Sequence, residues 1–296
     1  MNDEVGPEGL RFRSHYWDDR EAKEEFKTFL LAIHGLDLSL WERRGFWDDL
    51  YVPYSLFDGK RIVSSVCLYT MEMVIGGKRR RLAQFSGVGT LFSHRRRGLG
   101  KWLTLRAIER GKTTHDGFFL FATEAALVFY GVCGFRPADE RAEVVSVECR
   151  PSKRTPRRLD LDLDQDLRML YELARARSPV SDLLGTLNPK LLMFHALYGL
   201  RGDAYHIPDL DAVVLCRVDG RRLVLFDVIG ERVPSFAEIH PHLSHDPHDE
   251  VMFRFMPDKM RIRPERAEPL SENHLHLLPP LELPRPGCPF PFVAQA

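Results

Sequence analysis

The chain reads as an α/β (α+β) protein. A mixed, mostly antiparallel sheet flanked by helices is expected in its first half, and a second, smaller α/β unit after it. Three observations predict this. Runs with helical periodicity alternate with β-branched and aromatic runs bounded by turn dipeptides. Three consecutive strand-like runs are joined by Asp58-Gly59 and Gly76-Gly77, tight turns that suit antiparallel neighbours. A charged stretch with two prolines, residues 150–158, then reads as a linker, so the expected units are 1–150 and 151–296.

Taken in order, residues 10–16 alternate and predict a strand. Residues 19–33 place Phe26, Phe29, Leu30 and Ile33 at helical spacing, with Asp18 or Asp19 as N-cap. Residues 38–54 hold Trp41, Trp47, Tyr51 and Tyr54, which suit core packing or the wall of a pocket. Residues 54–57, 61–74 and 79–91 are the three strands of a meander. The run Arg95-Arg96-Arg97-Gly98-Leu99-Gly100 then opens a helix over 101–109. An aromatic strand at 117–122, a short helix at 124–133 and a strand at 143–149 complete the order β-α-α-β-β-β-α-β-α-β.

After the linker, residues 162–176 and 189–200 read as helices. Residues 212–218 and 222–228 form a hairpin across Asp219-Gly220, followed by a short helix at 234–242 and a strand at 251–256. The proline-rich tail from Glu282 is expected to be irregular. No short-period repeat is present, but the element order echoes the first half, which leaves a degenerate second copy open.

Composition narrows the function classes. With 296 residues, 44% of them hydrophobic and 28% charged, the chain suits two globular domains with a sizeable core. Lys+Arg and Asp+Glu balance at 42 each, which argues against nucleic acid or an anionic membrane as the main partner. Cys67, Cys133, Cys149, Cys216 and Cys288 are scattered, and read as reduced intracellular thiols. The acidic start has no apolar leader and no segment suits a membrane span, so a cytoplasmic protein is expected.

The arginine-glycine run carries the most chemistry. A glycine turn between strand and helix exposes backbone N–H groups at a helix N-terminus, which together with the helix dipole favour an anion, most naturally a phosphate. A Walker loop would need Ser or Thr after Gly100-Lys101, where Trp102 stands. A dinucleotide fingerprint would need a third glycine where Leu103 stands. The third option is the R-x-x-G-x-G turn of the GNAT acetyltransferase superfamily, which Arg95, Gly98 and Gly100 match in type and spacing.

The resemblance to that family extends past the turn. GNAT proteins follow the turn helix with a strand and then a pattern like A-x-x-F-Y-x-x-x-G-F; here Ala126, Phe129, Tyr130, Gly134 and Phe135 fill it. The upstream Val88-Gly89-Thr90-Leu91-Phe92 looks like the strand where the family splays its sheet. The resemblance covers about residues 10–150 and implies a GNAT-like sheet with acetyl-CoA as co-substrate. Amides of the turn from Arg96 to Lys101, including that of Leu99, would cradle the pyrophosphate, with Arg95, Arg96, Arg97 and Lys101 adding charge. The edges at Val88, Gly89 and Thr90 and at residues 120–122 would diverge to take the pantetheine amides.

The same resemblance implies that Tyr130 protonates the departing CoA thiolate, since a phenol with a pKa of about 10 can donate to a thiolate whose conjugate acid has about 8.5. Residues 82–91 hold no carboxylate, so the strand glutamate that some members use as a base is absent. Glu124, after the aromatic strand, is the candidate base, with Glu72 a further one; a water relay or an amine that arrives neutral would need neither. The expected activity is acetyl transfer to a primary amine, a small molecule or a peptide, with Asp48, Asp49 and Glu124 as carboxylates for a cationic acceptor. The competing expectation is a non-catalytic acyl-CoA-binding or regulatory module.

The second half could cover part of the acceptor site or form a homodimer surface. It also resembles, more loosely, the aminoglycoside acetyltransferases of the enhanced-intracellular-survival type, in which the terminal carboxylate reaches the active site; this implies the same position for Ala296. The chain is too short for their third domain. His240, His242, His245 and His248 crowd one stretch; interleaved prolines favour a surface loop there over a metal site, and no metal is expected. No G-x-S-x-G elbow supports a serine hydrolase.

Overall fold

A computed structural model describes residues 4–149, 155–244, 246–270 and 274–296. The first stretch runs β1 (Glu4–Val5), β2 (Arg11–Ser14), α1 (Arg20–His34), α2 (Ser39–Arg43), β3 (Tyr51–Asp58), β4 (Arg61–Ile75), β5 (Lys78–Thr90), α3 (Leu99–Gly111), β6 (Gly117–Ala122), α4 (Leu127–Val132), β7 (Arg136–Pro137) and β8 (Arg141–Ser146). The rest runs β9 (Arg157–Arg158), α5 (Asp164–Ala176), β10 (Leu184–Thr186), α6 (Pro189–Leu197), β11 (Ala204–Ile207), β12 (Ala212–Asp219), β13 (Arg222–Ile229), α7 (Phe236–Leu243), β14 (Glu250–Phe253), β15 (Arg266–Pro269) and β16 (His274–Leu278).

The strands form two sheets. The first has the order β1-β2-β3-β4-β5-β6-β16-β7, with β10 paired to β4 as well; the second has β15-β8-β14-β13-β12-β11-β9. Both are mostly antiparallel. The parallel pairs are β5 with β6, connected through α3, and β13 with β14, connected through α7, as a crossover requires. The mixed fold class expected from the sequence is the one observed.

Local chemistry explains the elements. Asp19 caps α1 by accepting a hydrogen bond from the Ala22 amide at 3.1 Å, and Ala22, Phe26, Phe29 and Leu30 form its buried stripe. Ser235 and Glu238 form a reciprocal capping box at the start of α7. Pro189 starts α6, where a missing N–H costs nothing.

The two sequence halves exchange strands across the limit expected at residue 150. β8, which closes the first half in the sequence, pairs with β14 and β15 in the second sheet. β16, from the C-terminal part, inserts between β6 and β7 of the first sheet. β10 pairs with β4 beyond the end of β3, on the edge opposite β5, from Leu184 opposite Ile75 to Thr186 opposite Met73. Of the expected linker, residues 150–154 lie outside the described residues, and Arg157 and Arg158 form an edge strand against β11.

Helices cover both faces of the first sheet. On one face α1 and α2 pack with α5 and α6 into a single cluster that joins the halves, including Phe26, Trp41, Tyr69, Leu170, Leu191 and Phe290. On the other, α3 and α4 bury Leu99, Leu103, Tyr130 and Phe135 against Leu68, Phe85 and Leu120. A third cluster lies beneath α7 in the second sheet. Arg177 and Asp227 form a buried bidentate pair at 2.6 and 2.7 Å that ties the end of α5 to β13.

The proline-rich tail is irregular, as expected, but not loose. Cys288, Phe290, Val293 and Ala294 are buried. The Phe290 amide donates to Glu140 at 2.9 Å, and Arg285 pairs with Glu143. The histidine stretch departs from the expected surface loop. His240 and His242 lie on α7, and His242 and His248 are buried, because Phe236, Ile239 and Leu243 anchor that helix in the third cluster. His240 Nε2 and His248 Nε2 lie 3.0 Å apart. His245 is outside the described residues, among which no group of three or more His, Cys, Asp or Glu is placed to hold a metal.

Candidate active site

The site begins where β5 and β6 part. Their parallel pairing runs from Leu82 opposite Gly117 to Phe85 opposite Leu120 and then stops, although β5 continues to Thr90 and β6 to Ala122. The unpaired ends leave backbone amides and carbonyls that can take an extended ligand as a further strand.

A bulge turns β5 at the same point. Between Ser65 opposite Gly89 and Cys67 opposite Ser86, β5 spends three steps on two of β4, so one residue is extra. Gly87 lies there at φ +57°, and a Cβ on it would stand 2.7 Å from the Tyr51 hydroxyl. Only glycine fits that backbone against that tyrosine. Gly89 meets the other side, where a Cβ would stand 2.6 Å from Ile33 of α1.

The arginine-glycine turn faces the open end of the notch. Gly98 is the left-handed N-cap of α3, at φ +75°, and a Cβ there would meet no atom within 4 Å. The first intrahelical bond is Trp102 N–H to the Gly98 carbonyl at 3.0 Å, so the preceding amides of Leu99, Gly100 and Lys101 point out of the helix end. A Cβ on Gly100 would touch Phe129 at 3.6 Å and the Thr90 hydroxyl at 3.7 Å. The end of β5, the start of α3 and the tyrosine helix α4 therefore converge on one point.

The four cations of the turn divide. Arg97 is paired with Glu8, and Arg95 folds back to donate to the Thr90 carbonyl at 3.1 Å, over the Phe92 ring. Arg96 and Lys101 are exposed and have no ion-pair partner among the described residues, so their charge is available to an anion. The Leu99 side chain is buried in the core, which leaves its amide as the group it offers. Val88, Gly89 and Thr90 are half-buried along the splayed end of β5.

Tyr130 packs between Phe129, which lies beside Gly100 of the turn, and Phe135. Phe85, the last residue of β5 paired with β6, packs edge-on against Phe135 at 5.4 Å, Phe135 against Tyr130 at 6.0 Å, and Tyr130 against Phe129 at 5.0 Å. Burial pushes the Tyr130 phenol well above its ordinary range, so it holds its proton. The other carboxylate candidates are scattered. Glu124 is exposed, two residues beyond β6. Glu72 is exposed opposite Arg81, away from the notch. Asp49 is exposed, and Asp48 is buried, where it accepts from the Tyr69 hydroxyl at 2.9 Å.

On the α1/α2 face the bulge borders a small cavity of about 30 Å³. Trp41, Tyr51 and Ser86 from the first half line it with Leu191, Phe194 and Ala296 from the second. Of the aromatics flagged in the sequence, Trp41 and Tyr51 are walls. Trp47 stands behind them, 5.8 Å from Trp41, and Tyr54 packs on the opposite face. Sequence reasoning missed Leu191, Phe194 and the clamp on the tail: Gln84 accepts from the Ala296 amide at 2.8 Å and donates to its oxygen at 3.0 Å. His195 bonds the Gln295 carbonyl at 2.7 Å, and burial holds that imidazole down at about 4. One signal was visible: Gln84 is a lone amide in the apolar run Leu82-Ala83-Gln84-Phe85.

Residues 36–138 match the family model described as an acetyltransferase (GNAT) domain. The sequence has no match among curated proteins. Among solved structures, a conserved protein of unknown function from Enterococcus faecalis, described as a "Probable N-Acyltransferase", is similar at a TM-score of 0.58 and 12% identity, over 90% of this chain and 71% of that one. Eis1 from Mycobacterium abscessus is similar at 0.56 and 17% identity, over 90% and 72%. A GCN5-related N-acetyltransferase from Kribbella flavida is similar at 0.55 and 15% identity, over 90% and 71%. At such identities the likeness is one of fold, and it extends over both halves. No helix among the described residues is long and apolar enough to cross a membrane. Residues 36–138 thus carry a GNAT acetyltransferase domain, and the protein is an acyltransferase.

Proposed function

We propose that the protein transfers the acetyl group of acetyl-CoA to a primary amine by direct attack on the thioester. The observation that best supports this reading is the convergence of Thr90, Gly100 and Phe129, which puts a splayed strand end, a helix N-terminus and Tyr130 around one notch. The amides of Leu99, Gly100 and Lys101, with the charges of Arg96 and Lys101, bind the pyrophosphate. The free edges of Val88, Gly89 and Thr90 hold the pantetheine arm and direct the thioester at the bulge.

The amine nitrogen adds to the carbonyl carbon. As the C–S bond breaks, sulfur leaves with the bonding pair and takes the proton of the Tyr130 hydroxyl. The nitrogen gives up its extra proton to water or to Glu124, exposed two residues beyond β6, and Tyr130 regains a proton from solvent. Orientation of the two reactants supplies most of the rate, and the positioned acid contributes about 10²–10⁴-fold more.

The deciding experiment measures thiol release from acetyl-CoA across a panel of amines, beside calorimetry of CoA binding. Amine-dependent release is expected. A chain that binds CoA and releases no thiol with any amine would instead be a non-catalytic acyl-CoA-binding module.

A further inference from the structure

We infer that His34, the last residue of α1, is the catalytic base: it takes the extra proton of the amine nitrogen and passes it to water. This rests on the acyl-transfer reading of the notch. α1 crosses the splayed end of β5 so closely that a Cβ on Gly89 would stand 2.6 Å from Ile33, 3.4 Å from Phe29 and 3.5 Å from His34 Nε2. Because residue 89 is glycine, no side chain of its own separates the imidazole from the strand backbone. The ring nitrogens of His34 have no hydrogen-bond partner among the described residues, and the side chain is exposed, so substrate and water can both reach it. Partial burial holds the imidazole below its ordinary value, and no charged group among the described residues shifts it. It is therefore neutral near pH 7, with a lone pair to offer.

The two faces of the sheet divide the proton transfers. A thioester laid in the notch as a further strand turns its carbonyl toward a strand edge, as a peptide does, and its two π faces toward the two faces of the sheet. Tyr130 packs in the α3/α4 cluster on one face, and His34, on α1, stands over the other. An amine that adds from the α1 face thus meets the base on its own side. Its nitrogen forms the C–N bond, and sulfur leaves with the C–S pair and the Tyr130 proton. The imidazole lone pair takes the proton of the positively charged nitrogen, and the imidazolium returns it to water. His34 is then the route to water, and Glu124 is not required.

The test uses the full chain, acetyl-CoA and the amine that gives the fastest thiol release. His34→Gln, at an exposed helix end, should lower kcat about 100-fold and leave CoA affinity, read by calorimetry, unchanged. In the parent, kcat should fall as pH drops through the imidazole range, below about 6.5, and that limb should be absent from His34→Gln. Imidazole added to His34→Ala should restore activity about tenfold, which a purely structural role would not allow. Parent turnover in His34→Gln with an unmoved limb overturns the inference. So does a limb at about 4 in both proteins, which would give the proton to a carboxylate. Loss of CoA affinity in His34→Gln also overturns it, by assigning His34 to co-substrate binding. Absence of thiol release by the parent with any amine would instead overturn the acyl-transfer reading, and the base with it.

Discussion

The two faces of the first sheet are built in different ways. The functional groups of the α3/α4 face come from one contiguous stretch, from Phe85 to Phe135: backbone amides, two free cations and a protonated phenol. The α1/α2 face is assembled from Trp41, Tyr51 and Ser86 together with Leu191, Phe194 and Ala296, residues more than 200 positions apart at the extremes, and presents ring walls. The first face suits a ligand with a constant, phosphate-bearing handle.

Perturbing the α3/α4 face should therefore damage chemistry or co-substrate binding and spare the cavity. The largest effect is expected from Tyr130→Phe. It removes one hydroxyl from an aromatic cluster that remains packed, so kcat should fall about 100-fold or more while CoA affinity holds. Unchanged turnover in steady-state assays would remove Tyr130 from proton delivery.

Gly98→Val comes next. The position has φ +75°, where a β-branched side chain is strained, yet open space surrounds its Cβ, so the core does not oppose it. The strain falls on the amides at the start of α3. CoA affinity is expected to drop roughly 100-fold, given about 1–3 kcal/mol each for backbone strain and a lost charge-assisted contact. Circular dichroism should show the fold intact; calorimetry giving wild-type affinity would refute the anion site.

The contrast between the faces also explains what the sequence disclosed. Short-range chemistry is visible in a linear string: the spacing of Arg95, Gly98 and Gly100, and the Phe129-Tyr130 and Gly134-Phe135 pairs, specify a turn and a helix whatever the rest of the chain does. The strand limits of the meander were legible for the same reason, because Asp58-Gly59 and Gly76-Gly77 punctuate them. What was hidden depends on pairing between distant segments. Nothing local tells residues 141–146 to join the second sheet, or residues 274–278 to enter the first beside β6. The Arg97–Glu8 pair was equally invisible, so the turn looked more cationic than it is.

The strap that carries Ala296 gives this long-range assembly a pH dependence. Burial pushes the Glu140 carboxyl up to about 7, against about 4.3 in an unfolded chain, while its oxygen accepts from the Phe290 amide. Between those values the folded chain retains a proton that the unfolded chain has lost. The contribution is therefore full below about pH 4 and declines as pH rises, with no further loss much above 7. Glu140→Gln keeps the acceptor and removes the titration. It should match the parent near pH 4 and exceed its stability by about 3–4 kcal/mol at pH 8. Urea unfolding at the two pH values checks this; a constant difference between the proteins would rule out Glu140 as the cause.

The smallest expected effect isolates the α1/α2 face most cleanly. Gln84 is buried on β5, one residue before Phe85, and its amide holds both polar groups of the Ala296 backbone. Gln84→Leu keeps the volume and the apolar contacts of the strand but leaves those two groups unpaired, a cost of about 1 kcal/mol to the docked tail. The end of the tail should then leave its place in the cavity wall for part of the time. Acceptor KM should rise about fivefold, the equivalent of that cost, with kcat at saturating amine and CoA affinity both unaltered. A matched fall in CoA affinity would show that the two faces are coupled through β5, and that the division between donor and acceptor sides is not one the sheet enforces.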